Sequence, residues 1–356
     1  MQNIISHFRL TNSVGEPRPL KTGLINDSFI LPAAITNGES YFLQRINHHI
    51  FTDVEGLQQN IKTVTDHIRK KLIEKQVSDI DNHVLRLIPT LDGKLYYKTA
   101  EGDYWRVYHY IGAGHSVEQV NAESAYLAGV AFGEFQNQLS DLNHNALCES
   151  IPNFHNIEFR LKQLREAVET DAAGRLSSSR DILAELEKRA EDMCLAERMF
   201  REGKLPKRIN HCDTKVNNML FDDHGKPMCI VDLDTVMPGF VFSDFGDFMR
   251  TAANTGAEDD SDLNNIHVNM QVFAAYTKGY LSQARFLTPT ERNMLPYGCR
   301  LLSYMQTVRF FTDWLNGDTY YKILYPEHNL VRTRAQLRLL EEQENCAEQM
   351  QRVVME

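Results

Sequence analysis

The sequence lacks the features that mark membrane-spanning, secreted and nucleic-acid-binding proteins. Its 356 residues contain no apolar run near the roughly 18 residues of a membrane span. It opens without the charged start and apolar run of a signal peptide. No lysine–arginine block offsets the net charge of −10. We therefore expect a cytoplasmic protein with no membrane or nucleic-acid partner, and the sequence implies no protein partner.

Two sets of motifs are also missing. No C-x-x-C pair occurs among the six cysteines, which predicts reduced thiols and argues against a zinc site or a disulfide framework. No G-x-x-x-x-G-K-[ST] phosphate loop occurs, and Gly112-Ala113-Gly114 is too short to replace it. This absence excludes a P-loop kinase.

The composition indicates a folded protein, and 356 residues are enough for two lobes. Hydrophobic residues make up 42% and charged residues 24% of the chain, which is ordinary for a globular protein. The first hundred residues alternate short apolar runs with turn signals such as Asn37-Gly38. One helical pattern, from about residue 54 to about residue 73, interrupts them. The predicted strands are residues 29–35, 41–46, 84–88, 95–98 and 105–111.

Helical patterns dominate after residue 112. Thr288, Pro289 and Glu291 have the order of a helix cap, a first-turn proline and the glutamate that closes a capping box. A charged tail from about residue 333 is also predicted to be helical. These patterns predict an α+β protein. Residues 1–110 would form a β-rich lobe, an antiparallel sheet with one helix, and residues 111–356 a larger, mostly helical lobe.

One segment of the helical half has a different pattern. Met219–Phe221 and residues 228–231 are short apolar runs joined by a turn that contains Gly225, which predicts a β-hairpin. The outer ends of a hairpin lie together. The polar loop of residues 211–218 is therefore expected beside Asp232.

This loop and hairpin carry the residue types that phosphoryl transfer requires. We predict that Asp213 orients the attacking hydroxyl and accepts its proton, and that Lys215 presents a cation to the transferring phosphoryl group. Asn218 and Asp232 would hold Mg²⁺. Asp and Asn alone are common turn formers. The combination His-x-Asp-x-Lys-x-x-Asn, followed by an aspartate at the end of an apolar strand, is specific.

Two further aspartate motifs have alternative interpretations. Asp244-Phe245-Gly246 spells the metal triplet of protein kinases but lies outside the hairpin, so we interpret Asp244 as a structural carboxylate that supports the catalytic loop. The segment 232–235 reads Asp-Leu-Asp-Thr, the nucleophile motif of haloacid-dehalogenase-like phosphatases. No βαβ alternation surrounds it, which leaves a phosphatase as the weaker alternative.

These residues resemble the catalytic loop and metal motif of the aminoglycoside-phosphotransferase-like kinases. Within that group the chain most resembles the N-acetylhexosamine 1-kinases. The most distinctive matching segments are residues 23–29, 232–239 and 309–321, and further matches are residues 42–47, 54–57, 213–218 and 244–247.

The resemblance implies a bilobal protein-kinase-like fold that binds ATP in its cleft with Mg²⁺. It implies phosphorylation of the anomeric hydroxyl of N-acetylglucosamine or N-acetylgalactosamine. It also implies site residues: Gly23, Asn26 and Ser28 in a turn over the phosphates, Arg45 as the phosphate-holding cation, Tyr108 and Tyr110 in the strand that meets adenine, and Arg309, Tyr320 and Tyr321 on the sugar side. Glu55 is a candidate partner of Arg45.

Two alternatives remain open. The same chemistry could act on another sugar, an amino alcohol or an aminoglycoside. The chain could also be a catalytically silent kinase-fold binding module, against which the joint presence of Asp213, Lys215, Asn218 and Asp232 argues.

Overall fold

A computed structural model of the chain describes residues 1–20, 25–112, 114, 115 and 120–356. The chain forms two compact units. The first consists of the described residues of 1–117 together with 138–152 and 217–238, and the second of the described residues of 118–137 together with 153–216 and 239–356. The division after residue 110 stays a prediction. In the part of the chain that the structure describes, no helix is long and apolar enough to cross a membrane.

The described residues form both helices and strands. The helices are α1 (Gln2–Ile5), α2 (Val54–Glu74), α3 (Ala122–Leu139), α4 (Ile157–Thr170), α5 (Arg180–Met193), α6 (Leu195–Arg201), α7 (Val241–Ala252), α8 (Met270–Gln283), α9 (Pro289–Asn293), α10 (Leu295–Leu315), α11 (His328–Asn345) and α12 (Ala347–Met355). The strands are β1 (Arg18–Leu20), β2 (Asp27–Leu31), β3 (Tyr41–Ile46), β4 (Leu87–Ile88), β5 (Tyr97–Lys98), β6 (Tyr104–His109), β7 (Arg208–Asn210), β8 (Met219–Phe221), β9 (Pro227–Ile230) and β10 (Met237–Gly239).

An antiparallel sheet forms the core of the first unit. Its strands run in the order β1-β2-β3-β6-β4, and β5 also pairs with β6. Alternate residues such as Leu43 and Val107 point into a buried cluster, as period-two strands require. The predicted antiparallel sheet with one long helix, α2, is confirmed. The strand predicted for residues 29–35 ends at Leu31, because Pro32 has no N–H to donate to the ladder.

The predicted β-hairpin is also confirmed and belongs to the first unit. Met219 of β8 lies opposite Ile230 of β9, and Leu220 lies opposite Cys229. Gly225, in the turn, has a φ of +75°, a backbone conformation that glycine adopts without steric cost. The hairpin thus places residue 218 and residue 232 at its open end.

In the second unit, the backbones of α7 and α10 approach closely through two glycines. A Cβ atom on Gly246 would lie 2.2 Å from the carbonyl oxygen of Gly298, and one on Gly298 would lie 2.1 Å from the carbonyl oxygen of Phe242. Any side chain at either position would force the helices apart. This contact fixes α7, the helix that carries Asp244 and Asp247.

The helix signals of the second half have mixed outcomes. The capping box is confirmed, because the Thr288 hydroxyl accepts from the Glu291 N–H and the Glu291 carboxylate accepts from the Thr288 N–H. The tail helix, α11, begins at His328 and not near residue 333. Its first turn contains the buried polar residues His328 and Asn329, which an apolar periodicity does not detect.

Candidate active site

Asp213 and Lys215 lie on a loop of the second unit, between β7 and β8. The Lys215 ammonium lies 2.9 Å from the Asp213 carboxylate, and the Asp213 side chain is 27% exposed. Burial lowers the pKa of Lys215, but the carboxylates of Asp213 and Asp247 outweigh it and raise that pKa above its ordinary value. Both side chains are accessible to solvent, and Lys215 remains a cation.

Carboxylates of α7 hold the backbone of this loop. Asp244 accepts hydrogen bonds from the N–H groups of His211 at 2.8 Å and Cys212 at 2.9 Å, and Asp247 accepts one from the Thr214 N–H at 3.0 Å. The interpretation of Asp244 as a support for the loop is confirmed. The role of Asp247 is one that sequence reasoning missed, although it lies in the matching segment 244–247.

Cys212 also shows how tightly the loop is held. Its φ of +63° is a left-handed conformation that costs a non-glycine residue about 1–2 kcal/mol. Such strain persists only where surrounding contacts impose it. Here the bond from its N–H to Asp244 is one such contact, and the next residue along the chain is Asp213.

Burial has a further effect on Asp244. It raises the pKa of this carboxyl to about 6, although the N–H groups of His211 and Cys212 oppose the rise. The Gln136 amide donates a third hydrogen bond to the same carboxylate at 2.9 Å. Asp244 is thus fully engaged inside the second unit.

Asn218 and Asp232, the predicted metal ligands, belong to the hairpin of the first unit. The Val231 N–H donates to the Asn218 carbonyl at 2.9 Å, which joins the two ends of the hairpin. Asp232 is exposed and has a φ of +58°. One carboxylate and one amide oxygen are ligand types that Mg²⁺ accepts, so this donor set fits the metal. The antiparallel hairpin differs from the parallel sheet that the phosphatase alternative requires.

Sequence reasoning missed Arg106, the buried cation of this region. Arg106 on β6 is 1% exposed, and its guanidinium lies 2.5 Å from the carboxylate of Asp234. The Asn26 amide donates to the same carboxylate at 2.6 Å, and Gln44 accepts two hydrogen bonds from Arg106. The Asp234 motif was visible in the sequence, but nothing in the strand pattern distinguished Arg106 from an exposed arginine.

The other residues predicted on the nucleotide side have different surroundings. Gly23 lies outside the described residues. Ser28 is buried and accepts a hydrogen bond from Gln44. Arg45 is 45% exposed and forms its ion pairs with Asp27 at 2.5 Å and Asp103 at 3.6 Å. Those carboxylates, rather than Glu55, are the partners that the structure gives Arg45. Its contact with a phosphate stays a prediction.

Tyr108 and Tyr110 differ from each other. The ring of Tyr108 is buried 5.1 Å from the Arg106 guanidinium, so this side chain is part of the core. Tyr110 follows the end of β6, and its N–H donates to the Ser40 carbonyl at 3.0 Å. An adenine contact at Tyr110 would therefore use its carbonyl group.

The predicted acceptor residues do come together, in the second unit. Arg309 of α10 lies 5.5 Å from the Tyr321 ring, and the rings of Tyr320 and Tyr321 are 4.8 Å apart. All three line a cavity of about 240 Å³. Its other lining residues are Arg160, Gln163, Val308, Thr312, Asp313, Asn316 and Thr319.

Asp313 lines this cavity and holds the backbone of residues 319–321, which belong to the matching segment 309–321. Its buried carboxylate accepts the backbone N–H groups of Thr319 at 2.9 Å, Tyr320 at 2.7 Å and Tyr321 at 2.9 Å. Burial raises the pKa of the Tyr321 phenol. Sequence reasoning missed Asp313, although it lies within the matching segment 309–321, and it missed Arg160, for which no motif exists.

Known proteins resemble this chain in both sequence and structure. The sequence matches the Phosphotransferase enzyme family (APH) over residues 18–286. An aminoglycoside phosphotransferase from Alicyclobacillus acidocaldarius has a similar structure, with a TM-score of 0.64 at 12% identity over 100% of this chain and 96% of that one. A spectinomycin phosphotransferase in complex with ADP and spectinomycin has a TM-score of 0.59 at 12% identity, over 96% and 98% of the two chains.

An ethanolamine kinase from Plasmodium vivax is similar as well, with a TM-score of 0.53 at 13% identity over 94% of this chain and 83% of that one. At these identities the likeness establishes the fold. The family match also indicates the class of chemistry, which is phosphoryl transfer. The chain belongs to the phosphotransferase enzyme family and has the protein-kinase-like fold of its aminoglycoside-phosphotransferase relatives.

Proposed function

We propose that the protein is an ATP- and Mg²⁺-dependent phosphotransferase that phosphorylates the anomeric hydroxyl of N-acetylhexosamines. The observation that carries the phosphotransferase part is the setting of Asp213. This carboxylate is solvent-accessible, yet the backbone of its loop is held in place because three of its N–H groups donate to carboxylates of α7. A rigid backbone under an accessible carboxylate suits a group that must orient a hydroxyl.

The roles of the residues follow from their chemistry. Asp213 orients the acceptor hydroxyl and takes its proton, and Lys215, whose pKa is raised, remains a cation that can neutralise the transferring group. Asn218 and Asp232 would hold Mg²⁺, which would supply charge neutralisation for the phosphates. An anomeric hydroxyl is more acidic than an ordinary alcohol, so proton removal asks less of Asp213.

The acceptor class is supported by the cavity around Arg309. An amino alcohol or aminoglycoside would bring ammonium groups, which need carboxylate partners. Asp313 is the lining carboxylate, and three backbone N–H groups already occupy it. Two arginines line the same cavity, so a neutral, oxygen-rich sugar suits its charge better than an amine. The volume of about 240 Å³ lies below the 300–1,000 Å³ or so of sites for drug-sized ligands, which favours one small metabolite.

A panel of acceptors tests this proposal. The purified chain is incubated with ATP and MgCl₂ and with N-acetylglucosamine, N-acetylgalactosamine, glucosamine, ethanolamine or an aminoglycoside, and ADP release and product mass are measured. We expect a sugar 1-phosphate from the N-acetylhexosamines, formed at least about a hundredfold more slowly with Asp213→Asn. Transfer to an amine-bearing acceptor alone would overturn the acceptor class. No transfer to any acceptor, with retained ATP binding, would favour the silent binding module.

A further inference from the structure

Two arginines in the acceptor cavity have no carboxylate partner among the residues that the structure describes. Arg160 of α4 donates to the Gln163 side chain at 2.9 Å and to the Phe154 carbonyl at 3.0 Å. Arg309 of α10 donates to the Gln306 side chain at 3.1 Å. All of these acceptors are neutral. Among the described residues, no carboxylate oxygen comes within the 4.0 Å of an ion pair to either guanidinium.

The two guanidinium groups are neighbours. Both contact Phe154: Arg160 bonds to its carbonyl, and the Arg309 guanidinium lies 5.2 Å from its ring. Burial, together with the nearby charge of Arg309, lowers the pKa of Arg160 to about 10. The Nε atom of Arg160 is buried and has no hydrogen-bond partner among the described residues. Two positively charged guanidinium groups thus lie close together at the wall of the cavity, and the Nε–H of Arg160 remains available as a hydrogen-bond donor.

Other arginines of the chain show what a compensated arginine looks like. Arg208 lies 2.5 Å from Glu291, and Arg250 lies 2.6 Å from Glu258. A half-buried pair of cations with neutral partners gains most from a ligand that brings negative charge, because arginine presents paired N–H donors that match the oxygens of a carboxylate or phosphate.

We propose that Arg160 and Arg309 form an oxyanion subsite in the acceptor cavity, and that hydroxyl acceptors bearing a carboxylate or phosphate bind there more tightly than neutral ones. The proposal rests on the proposed function for the role of this cavity as the acceptor site. It deepens that function, because it extends the acceptors from neutral N-acetylhexosamines to their acidic derivatives. Arg160 becomes a residue that determines specificity.

The position of the cavity relative to Asp213 supports this assignment. His155 follows Phe154, and its ring stacks on the Phe154 ring at 4.7 Å. The charges of Asp213 and Arg309 both act on His155. The arginine pair and the predicted base are therefore all near this histidine, within the second unit. An oxyanion held by the pair would leave another part of the same small molecule to meet Asp213.

Competition kinetics and calorimetry test the subsite on the full-length protein. The probes are N-acetylglucosamine, its 6-carboxylate (N-acetylglucosaminuronic acid), its 6-phosphate, and inorganic sulfate. We expect the two acidic sugars to bind about 10–100-fold more tightly than the neutral sugar, as charge-assisted hydrogen bonds would give. Sulfate should compete with the acceptor and not with ATP. The carboxylate and phosphate arms show which oxyanion fits better.

Variants of Arg160 and Arg309 test whether these two residues cause the preference for acidic sugars. Arg160→Met should remove most of the preference for the acidic sugars and the inhibition by sulfate, and Arg160→Lys should restore part of both. Arg309→Met should weaken the neutral and the acidic sugars together. Arg165→Met, on the exposed side of the same helix, is the matched control and should behave as wild type. Melting curves confirm that each variant is folded.

The outcomes separate this inference from the proposed function. Equal affinity for neutral and acidic sugars, with normal transfer to the neutral sugar, overturns the subsite and leaves the kinase proposal standing. Sulfate that competes only with ATP overturns the subsite as well, because the pair would then serve the nucleotide. Binding of the acidic sugars that depends on Arg160, without transfer to any acceptor, supports the subsite and overturns the kinase proposal.

Discussion

Two arginine sites, one in each unit, have opposite charge balance. In the first unit Arg106 is buried against Asp234, and Asn26 completes the hydrogen bonds of that carboxylate. In the second unit Arg160 and Arg309 share a cavity with neutral hydrogen-bond partners. A buried charge that the protein neutralises itself belongs to the scaffold. A charge that the protein leaves to be neutralised is a place where a ligand contributes.

The same distinction divides the aspartates. Asp244 and Asp247 are buried, and both accept hydrogen bonds from the backbone of the catalytic loop. Asp213 and Asp232 are accessible to solvent. Changes at the buried carboxylates should therefore affect stability, and changes at the solvent-accessible ones should affect turnover.

The largest expected effect separates Asp232 from Asp244. Asp232→Asn should abolish turnover without loss of stability, because Asp232 is exposed and asparagine tolerates its positive φ. Asp244→Asn should lower stability by about 1–3 kcal/mol, since its amide N–H₂ would face a backbone N–H donor. Initial rates and urea unfolding measure both. An active Asp232→Asn protein, beside an inactive Asp244→Asn protein of normal stability, would reverse the assignment.

The next effect concerns Asp213. Asp213→Asn keeps the shape of the side chain but removes its charge and basicity, and general-base contributions are typically ~10²–10⁴-fold. We expect at least about a hundredfold loss of kcat, with ATP affinity by calorimetry within about tenfold of wild type and an unchanged melting temperature. If Asp213 were only a turn former, the melting temperature would fall and kcat per folded molecule would stay normal. That pattern would refute the mechanism.

A third prediction concerns the buried pair of Arg106 and Asp234. Arg106→Met leaves Asp234 as an unpaired buried carboxylate, so we expect a loss of about 3–5 kcal/mol in the free energy of unfolding. The double change Arg106→Met with Asp234→Leu should recover much of this loss, because no buried charge remains. Arg160→Met, by contrast, removes a cation from beside Arg309 and should change stability by less than about 1 kcal/mol. Equal losses at Arg106 and Arg160 would contradict the division between scaffold and ligand sites.

The sequence predicted those parts of the fold and site that depend on local patterns. Apolar alternation and turn residues gave the sheet and the hairpin at Gly225, and cap chemistry gave the helix start at Thr288. The loop from Asp213 to Asn218 was recognisable because its polar residues interrupt a helical region. Each of these signals lies within a few neighbouring residues.

What the sequence did not predict depends on long-range pairing. Arg106 meets Asp234 across 128 positions of the chain, and the guanidinium of Arg160 is significant only beside Arg309. Strand alternation leaves open which polar residue is buried, and the family resemblance indicated Arg45 as the phosphate-holding cation. The structure gives Arg45 exposed partners and gives the buried position to Arg106.

The smallest effect is a pH dependence of stability that Asp244 should contribute. Burial raises the pKa of its carboxyl to about 6 in the folded protein, whereas an unfolded aspartate has a pKa of about 3.9. Between these values the folded state binds the extra proton, so the contribution to stability is greatest below the unfolded pKa and is lost as pH rises through about 6.

Three hydrogen-bond donors surround the Asp244 carboxylate, and the two pKa values correspond to about 2 kcal/mol between pH 4 and pH 7. Other groups titrate in the same range, and the measurement is therefore a difference: urea unfolding of wild type minus Asp244→Asn at several pH values. The advantage of wild type should be larger at pH 4 than at pH 7, because aspartic acid at this site is neutral in acid and asparagine cannot titrate. An advantage that grows as pH rises would mean that the three donors outweigh burial, and that Asp244 holds the loop as a charged carboxylate at every pH where the protein is folded.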